Sequence, residues 1–237
     1  MRLFLFILGF IAIYGCNKES ISADDFDRKL SYFPFKQGNS WVYAYDSIIY
    51  LTGGSVKDTS SGFLKFQIGD SLVSNEFAWI KSISKSPTNG YEINRLESIS
   101  LANNRLVTTD NNLKFINLVF PPDLGTEWNG NIFFNDEIEV LIGGDPYLMY
   151  KDWNYKVTTI DTTLIVNGKT YADVIRVAQT DKENAIERRL SEEFYAKDVG
   201  LILKRIMILN TQNVASQLPW EQKAQSGMIY TQRIINQ

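Results

Sequence analysis

The 237-residue chain has no histidine and a single cysteine, and these two absences remove a large share of enzyme chemistry. Without imidazole there is no Ser-His-Asp or Cys-His relay, and no zinc or copper site built on histidine. One cysteine cannot close an intramolecular disulfide, so the folded part is held by burial alone. Charge is nearly balanced, with 24 basic and 27 acidic residues giving a net −3. No basic cluster occurs, which excludes a nucleic-acid footprint and with it a nucleic-acid partner. Familiar motifs fail as well. Gly168-Lys169-Thr170 imitates the end of a P-loop, but Thr163 stands where its first glycine belongs. Gly38-Asn39-Ser40 resembles a nucleophile elbow without its closing glycine, whose place Val42 takes. No acidic calcium loop is present. What remains is chemistry on carboxylates, Lys, Tyr, Ser and Thr, and nothing in the pattern asks for a metal or a cofactor.

Hydrophobic residues make up 44% and aromatics 13%, which is ample for a core. The most informative stretch comes first. Arg2 precedes an unbroken apolar run over residues 3–13. That run is too short to cross a bilayer, since ~30 Å at ~1.5 Å per residue takes about 20 residues. It has the length of a signal-peptide core. Ile13-Tyr14-Gly15-Cys16 follows and resembles the lipobox of bacterial lipoproteins, with Ile13 where Leu is usual and Tyr14 bulkier than the usual small residue. The resemblance implies cleavage before Cys16, a diacylglycerol on its thiol, and fatty acyl chains such as palmitate as the membrane anchor. Two or more chains make such an anchor stable. We therefore read residues 1–15 as signal peptide, 16–30 as lipidated Cys16 and polar tether, and 31–237 as one β-rich domain. Asn17, rather than the Asp of an inner-membrane retention signal, points to the outer membrane and leaves the leaflet open.

Within the domain, Phe33-Pro34-Phe35-Lys36-Gln37-Gly38-Asn39-Ser40-Trp41 and Phe120-Pro121-Pro122-Asp123-Leu124-Gly125-Thr126-Glu127-Trp128 share the pattern F-P-x-x-x-G-x-x-W. Proline stops the preceding element, glycine supplies the bend and tryptophan opens a strand. The repeat predicts two related halves of one sheet. Trp41, Tyr43 and Tyr45 alternate onto one face of the first strand. Further strands are predicted over residues 63–68, 76–83, 91–96, 105–109, 114–120, 131–134, 137–141, 153–160, 200–209 and 228–235. Asn167-Gly168, between residues 162–166 and 169–177, is a type I′ hairpin signal. Residues 183–191 are ambiguous, because Ile186, Leu190 and Phe194 keep helical spacing before a strand-like run. One helical turn is expected near residues 219–224.

Tyr32-Phe33-Pro34-Phe35-Lys36-Gln37-Gly38-Asn39-Ser40-Trp41-Val42-Tyr43 resembles the opening of a family of uncharacterised Bacteroidota lipoproteins. Tyr195-Ala196-Lys197-Asp198-Val199-Gly200-Leu201 is similar to their closing motif, with Asp198 where Gly is usual. The stretch from Asn167 through Val174 resembles their central hairpin. The resemblance implies a curved antiparallel sheet, of which the open half-barrel of periplasmic lipoprotein carriers is one form. It carries no catalytic residues over. The expected fold is thus mainly β, a single domain of curved antiparallel sheet in two related halves, with few short helices.

Carboxylates and aromatics supply the candidate sites. Glu137 and Glu139 would share one strand face, and Glu192-Glu193 are adjacent. A pair of acids about 5–9 Å apart could run glycoside hydrolysis, whereas the ordinary reading of alternating Glu137, Ile138, Glu139 and Val140 is a half-exposed strand. Trp153 and Tyr155 could form a platform for a sugar ring or a lipid, against the ordinary reading of core packing. The function expected is a non-catalytic binding or assembly module at the outer membrane, with a protein, glycan or lipid partner. A carrier of lipid or another hydrophobic ligand predicts a cavity of about 300–1,000 Å³. A carboxylate hydrolase predicts a cleft with convergent acids and a raised pKa. A filled core with neither leaves binding or assembly at the surface.

Overall fold

A computed structural model describes residues 30–51, 53–214 and 217–236, so the signal, Cys16 and nearly all of the tether lie outside the described residues. The strands are β1 (Ser40–Tyr50), β2 (Lys57–Val73), β3 (Glu76–Ser84), β4 (Glu92–Ala102), β5 (Arg105–Asp110), β6 (Leu113–Val119) and β7 (Glu127–Trp128), then β8 (Val140–Ile142) and β9 (Asp145–Tyr147). The chain continues with β10 (Tyr155–Val166), β11 (Lys169–Glu183), β12 (Glu187–Ala196), β13 (Gly200–Asn210), a one-turn helix α1 (Trp220–Lys223) and β14 (Ser226–Asn236). Strand accounts for 63% and helix for 2%, so the fold is mainly β as expected.

Twelve strands form one antiparallel sheet in the order β6-β5-β4-β3-β2-β1-β14-β13-β12-β11-β10-β7, and β8-β9 is a separate hairpin. This is a meander whose last strand returns to pair with its first. The sheet's two ends, β6 and β7, also follow one another in the chain, and they meet. The Ile116 N–H donates to the Gly130 carbonyl at 2.9 Å, and Trp128 Nε1 donates to the Ile116 carbonyl at 2.8 Å. The curved sheet is therefore a nearly closed twelve-stranded barrel, curled further than an open half-barrel.

The two F-P-x-x-x-G-x-x-W stretches build the same turn. In the first, the Asn39 N–H donates to Lys36 O, the Gly38 N–H to Ile68 O, and the Ile68 N–H back to Asn39 O, at 2.8–3.1 Å. In the second, Thr126 donates to Asp123 O, Gly125 to Val157 O and Val157 back to Thr126 O, at 2.9–3.0 Å. Gly38 and Gly125 take φ of 89° and 85°, the left-handed conformation glycine reaches without strain. Each tryptophan also donates its indole N–H to a backbone carbonyl, Trp41 to Val199 at 2.6 Å and Trp128 to Ile116 at 2.8 Å. Each copy opens six strands of the barrel, β1–β6 in one half and β7 with β10–β14 in the other.

Turn chemistry fixes the rest. Asn103-Asn104, Asn111-Asn112 and Asn167-Gly168 have positive φ at both positions and close two-residue hairpins. Asp198 takes φ of 62°, so the turn ahead of Gly200 forms with Asp in place of Gly. The strands expected over residues 131–134 and 137–141 are corrected. Residues 131–139 form turns, and only Val140 and Leu141 join β8. The side-chain oxygens of Asn129 and Asn135 accept the N–H groups of Asn131 and Glu137, giving the backbone a local partner in place of a neighbouring strand. Residues 183–191 resolve as a turn into β12, because the Asn184 side chain accepts from the N–H groups of Ile186 and Glu187. The helical turn near residues 219–224 is α1.

The main core fills the barrel, with Trp41, Ile68, Ile99, Leu118, Val157 and Ile175 all at 1% exposure or less. At one end, Phe33 stacks on Trp41 at 5.1 Å, and the Asp198 N–H donates to Ser31 O at 2.8 Å. Near the other end the segment between β7 and β10 folds inward. Its Tyr147 hydroxyl donates to Ser226 Oγ at 2.8 Å, and a small cluster of Tyr50, Leu209, Trp220 and Ala224 packs α1 against the strands.

Candidate binding cavity

The barrel is not filled throughout. A cavity of about 360 Å³ lies within it, lined by β1–β6 on one side, β10–β14 on the other, and the inward segment through Val140, Met149, Tyr150 and Trp153. Its volume falls within the range of small-molecule pockets. Part of the wall is aromatic. Phe66 stacks on Trp79 at 5.2 Å and 22°, and Tyr155 lies close against Gly130, where a Cβ would meet its ring at 2.4 Å.

The polar part of the wall is a row running across three strands. On β12, alternation turns Ser191, Glu193 and Tyr195 inward and Glu192 and Phe194 outward. In the sheet register Glu193 lies opposite Lys204 on β13, and Lys204 lies opposite Gln232 on β14. Lys204 Nζ sits 2.8 Å from Glu193 Oε1, and the Tyr195 hydroxyl donates to Glu193 Oε2 at 2.5 Å. Glu193 is 1% exposed, whereas 27% of the Lys204 side chain is accessible because it borders the cavity. The Tyr230 hydroxyl donates to Gln232 Oε1 at 2.9 Å, and Ser191 donates to Gln179 Oε1.

Burial alone would lower the proton affinity of Lys204. Glu193 beside it reverses the sign, and the ammonium is held above its ordinary range. Burial, and then the negative charge of Glu193, push the hydroxyls of Tyr43, Tyr155 and Tyr195 well above the usual phenol range. At the rim, Asp110 lies 3.9 Å from Lys81 and 3.8 Å from Arg95. Glu97 accepts the Asn111 N–H at 2.7 Å, and burial raises its carboxyl above the usual range despite that bond.

The candidates from sequence are placed as follows. Trp153 and Tyr155 both line the cavity, at 8% and 1% exposure. Their ring centroids are 6.3 Å apart with planes inclined at 53°, a corner rather than a flat platform. Glu137 and Glu139 are exposed and stand outside any strand, and Glu137 pairs with Lys151 at 2.8 Å. Glu192 and Glu193 are both buried yet face opposite sides of β12. Glu192 is clamped outside the barrel by Arg176 at 2.5 Å and by Arg205. Among the described residues no group of three or more acidic side chains could hold a metal ion, and no helix is long and apolar enough to cross a membrane.

Lys204, Gln179 and Gln232 did not stand out in the sequence. Their signal is a lone polar residue on the inward face of an otherwise apolar strand, as in Ile202-Leu203-Lys204-Arg205-Ile206. It becomes legible only when the register sets Lys204 opposite Glu193.

No family model matches the sequence, and no curated protein matches it. Among solved structures, a Bacteroides fragilis protein described as exported, with a YmcC-like fold, aligns over 86% of this chain and 98% of its own. Identity is 8% and the TM-score 0.33, too low to support an inference about function.

Proposed function

We propose that this chain is a lipid-anchored protein of the bacterial outer membrane whose barrel is a non-catalytic binding module for a small ligand. The observation that carries the reading is the cavity inside a nearly closed barrel, walled by aromatics and by buried polar side chains. A void left by packing alone would be apolar, whereas this wall carries buried polar side chains. The lipobox-like Ile13-Tyr14-Gly15-Cys16 and the polar stretch after it support the anchor.

The cavity also supports binding over hydrolysis. Its deepest carboxylate, Glu193, has both oxygens engaged by Lys204 and Tyr195, which makes it an ion-pair partner rather than a free acid or base. Asp110 and Glu97 at the rim are held by Lys81, Arg95 and the Asn111 N–H.

The test begins with the lipoprotein made in its native host and released by proteolysis within the tether. Native mass spectrometry of that domain should show a small-molecule adduct that dissociates on activation. A bare domain that also takes up no compound from an extract of the host's lipids and metabolites would overturn the binding reading.

A further inference from the structure

On the deep wall of the cavity each side-chain oxygen of Glu193, Gln232 and Gln179 already has a donor, while several donors have no acceptor. Both oxygens of Glu193 are occupied, one by Lys204 and the other by Tyr195. The side-chain oxygens of Gln232 and Gln179 accept from Tyr230 and Ser191. The two glutamines, 4% and 2% exposed, line the cavity, and their amide nitrogens have no acceptor among the described residues. Lys204 carries three N–H groups, of which Glu193 takes one. These donors open onto the cavity, where oxygen atoms of an occupant can meet them.

Charge narrows the class further. Lys204 and Glu193 are neutral as a pair, and the rim sets Lys81 and Arg95 against Asp110 and Glu97. Among the described residues that line the cavity or its rim, no positive charge is left over to meet an anion. A buried ion without a counter-charge is strongly disfavoured.

We propose that the cavity takes an uncharged amphiphile, with a carbonyl-type oxygen of an amide, ester or ketone accepting from Lys204 and Gln232, and an apolar body against Phe66, Trp79, Trp153 and Tyr155. This rests on the binding reading above and specifies its ligand class. The register places Lys204 and Gln232 side by side on neighbouring strands, so a single oxygen can meet both. Burial is the first cause that raises the hydroxyls of Tyr43, Tyr155 and Tyr195, and the same desolvation opposes a carboxylate.

The experiment uses the domain released from the native lipoprotein and freed of detergent, with N-phenyl-1-naphthylamine as an uncharged fluorescent occupant. Octanamide and octanoate then compete for the site at pH 7.5. They share a chain and differ in charge. Octanamide should displace the probe at a concentration about tenfold lower than octanoate does. Glu193→Gln keeps an acceptor for Tyr195 while leaving the charge of Lys204 uncompensated, and the preference should move about tenfold towards octanoate. Octanoate equal to or better than octanamide on the native domain overturns the uncharged class and leaves the binding reading standing, because the probe has bound. A folded domain that takes up no probe overturns both. A Glu193→Gln domain that binds the probe with an unchanged ratio overturns the charge argument. Should that variant fail to fold, the native ratio decides, together with Gln232→Leu, which should weaken octanamide several-fold relative to the probe.

Discussion

Glu193 and Lys204 set the electrostatics of the barrel interior. An ion pair this deep contributes little net stability, because desolvation offsets attraction, yet removing one partner costs about 3–5 kcal/mol by leaving the other charge buried alone. The neighbouring phenols yield a prediction with a definite sign. Tyr43, Tyr155 and Tyr195 have folded pKa values raised above the unfolded value of about 10. The folded state therefore binds these protons more tightly than the unfolded chain. Their contribution is fully present below about pH 10 and is lost as the pH rises through the folded values. Lys204 is shifted in the same direction, so it adds to the trend. The urea midpoint should change little on account of these groups from about pH 8 to 10 and fall steeply above. Tyrosinate absorbance from the buried set should appear only with unfolding. Phenolate formation by all eleven tyrosines of residues 16–237 near pH 10 in the folded protein would contradict this. At this scale the sequence was half legible. Two adjacent acids in Glu192-Glu193 marked the spot, but period-two alternation sends one into the barrel and the other outside, and only the register says which partner each meets.

Among the elements, the repeated turn into a tryptophan strand organises the barrel, and it was readable because proline, glycine and tryptophan each constrain the backbone or packing in a way few residues do. The second copy does more than start a strand. Trp128 Nε1 and the Gly130 carbonyl both reach Ile116, and these two bonds bridge the seam between β6 and β7. Trp128→Phe keeps an aromatic ring there and removes one of them. The expected cost is about 1 kcal/mol, with faster amide exchange over Leu113–Val119 and unchanged exchange in β12 and β13. Hydrogen exchange with mass spectrometry reads this directly. Uniform acceleration would mean that the seam is no weaker than the rest of the barrel, and no change would mean that the indole bond does not hold it. The inward segment escaped the sequence because its alternating Glu137, Ile138, Glu139 and Val140 look like a strand. Short bonds from Asn129 and Asn135 outcompeted pairing, a contest that a pattern of polarity does not record.

For the whole molecule, the meander gives the barrel two distinct ends. The chain enters beside Trp41, where Ser31 meets Asp198, and the turns Asn103-Asn104 and Asn167-Gly168 lie at that same end. The rim residues Asp110, which ends β5, and Asn111, which opens the β5–β6 turn, lie at the opposite end, the same end as α1. With the proposed anchor at Cys16, the cavity's rim would stand at the end of the barrel opposite the one where the chain enters, an arrangement suited to receiving a ligand from the aqueous side rather than straight from the bilayer. The proposed anchor puts the burden of membrane attachment on Cys16, and that assignment is open to a direct test. Cys16→Ser should abolish incorporation of an alkyne-tagged palmitate. It should also leave the protein tethered only by an uncleaved apolar run of eleven residues, too short to span a bilayer that needs about 20. Carbonate washing should then release a large part of it from membranes, while the native protein stays. Label retained on the Cys16→Ser variant would place the acyl chain elsewhere, and full retention after washing without label would mean that the uncleaved run or the barrel, rather than an acyl chain, holds the protein to the membrane.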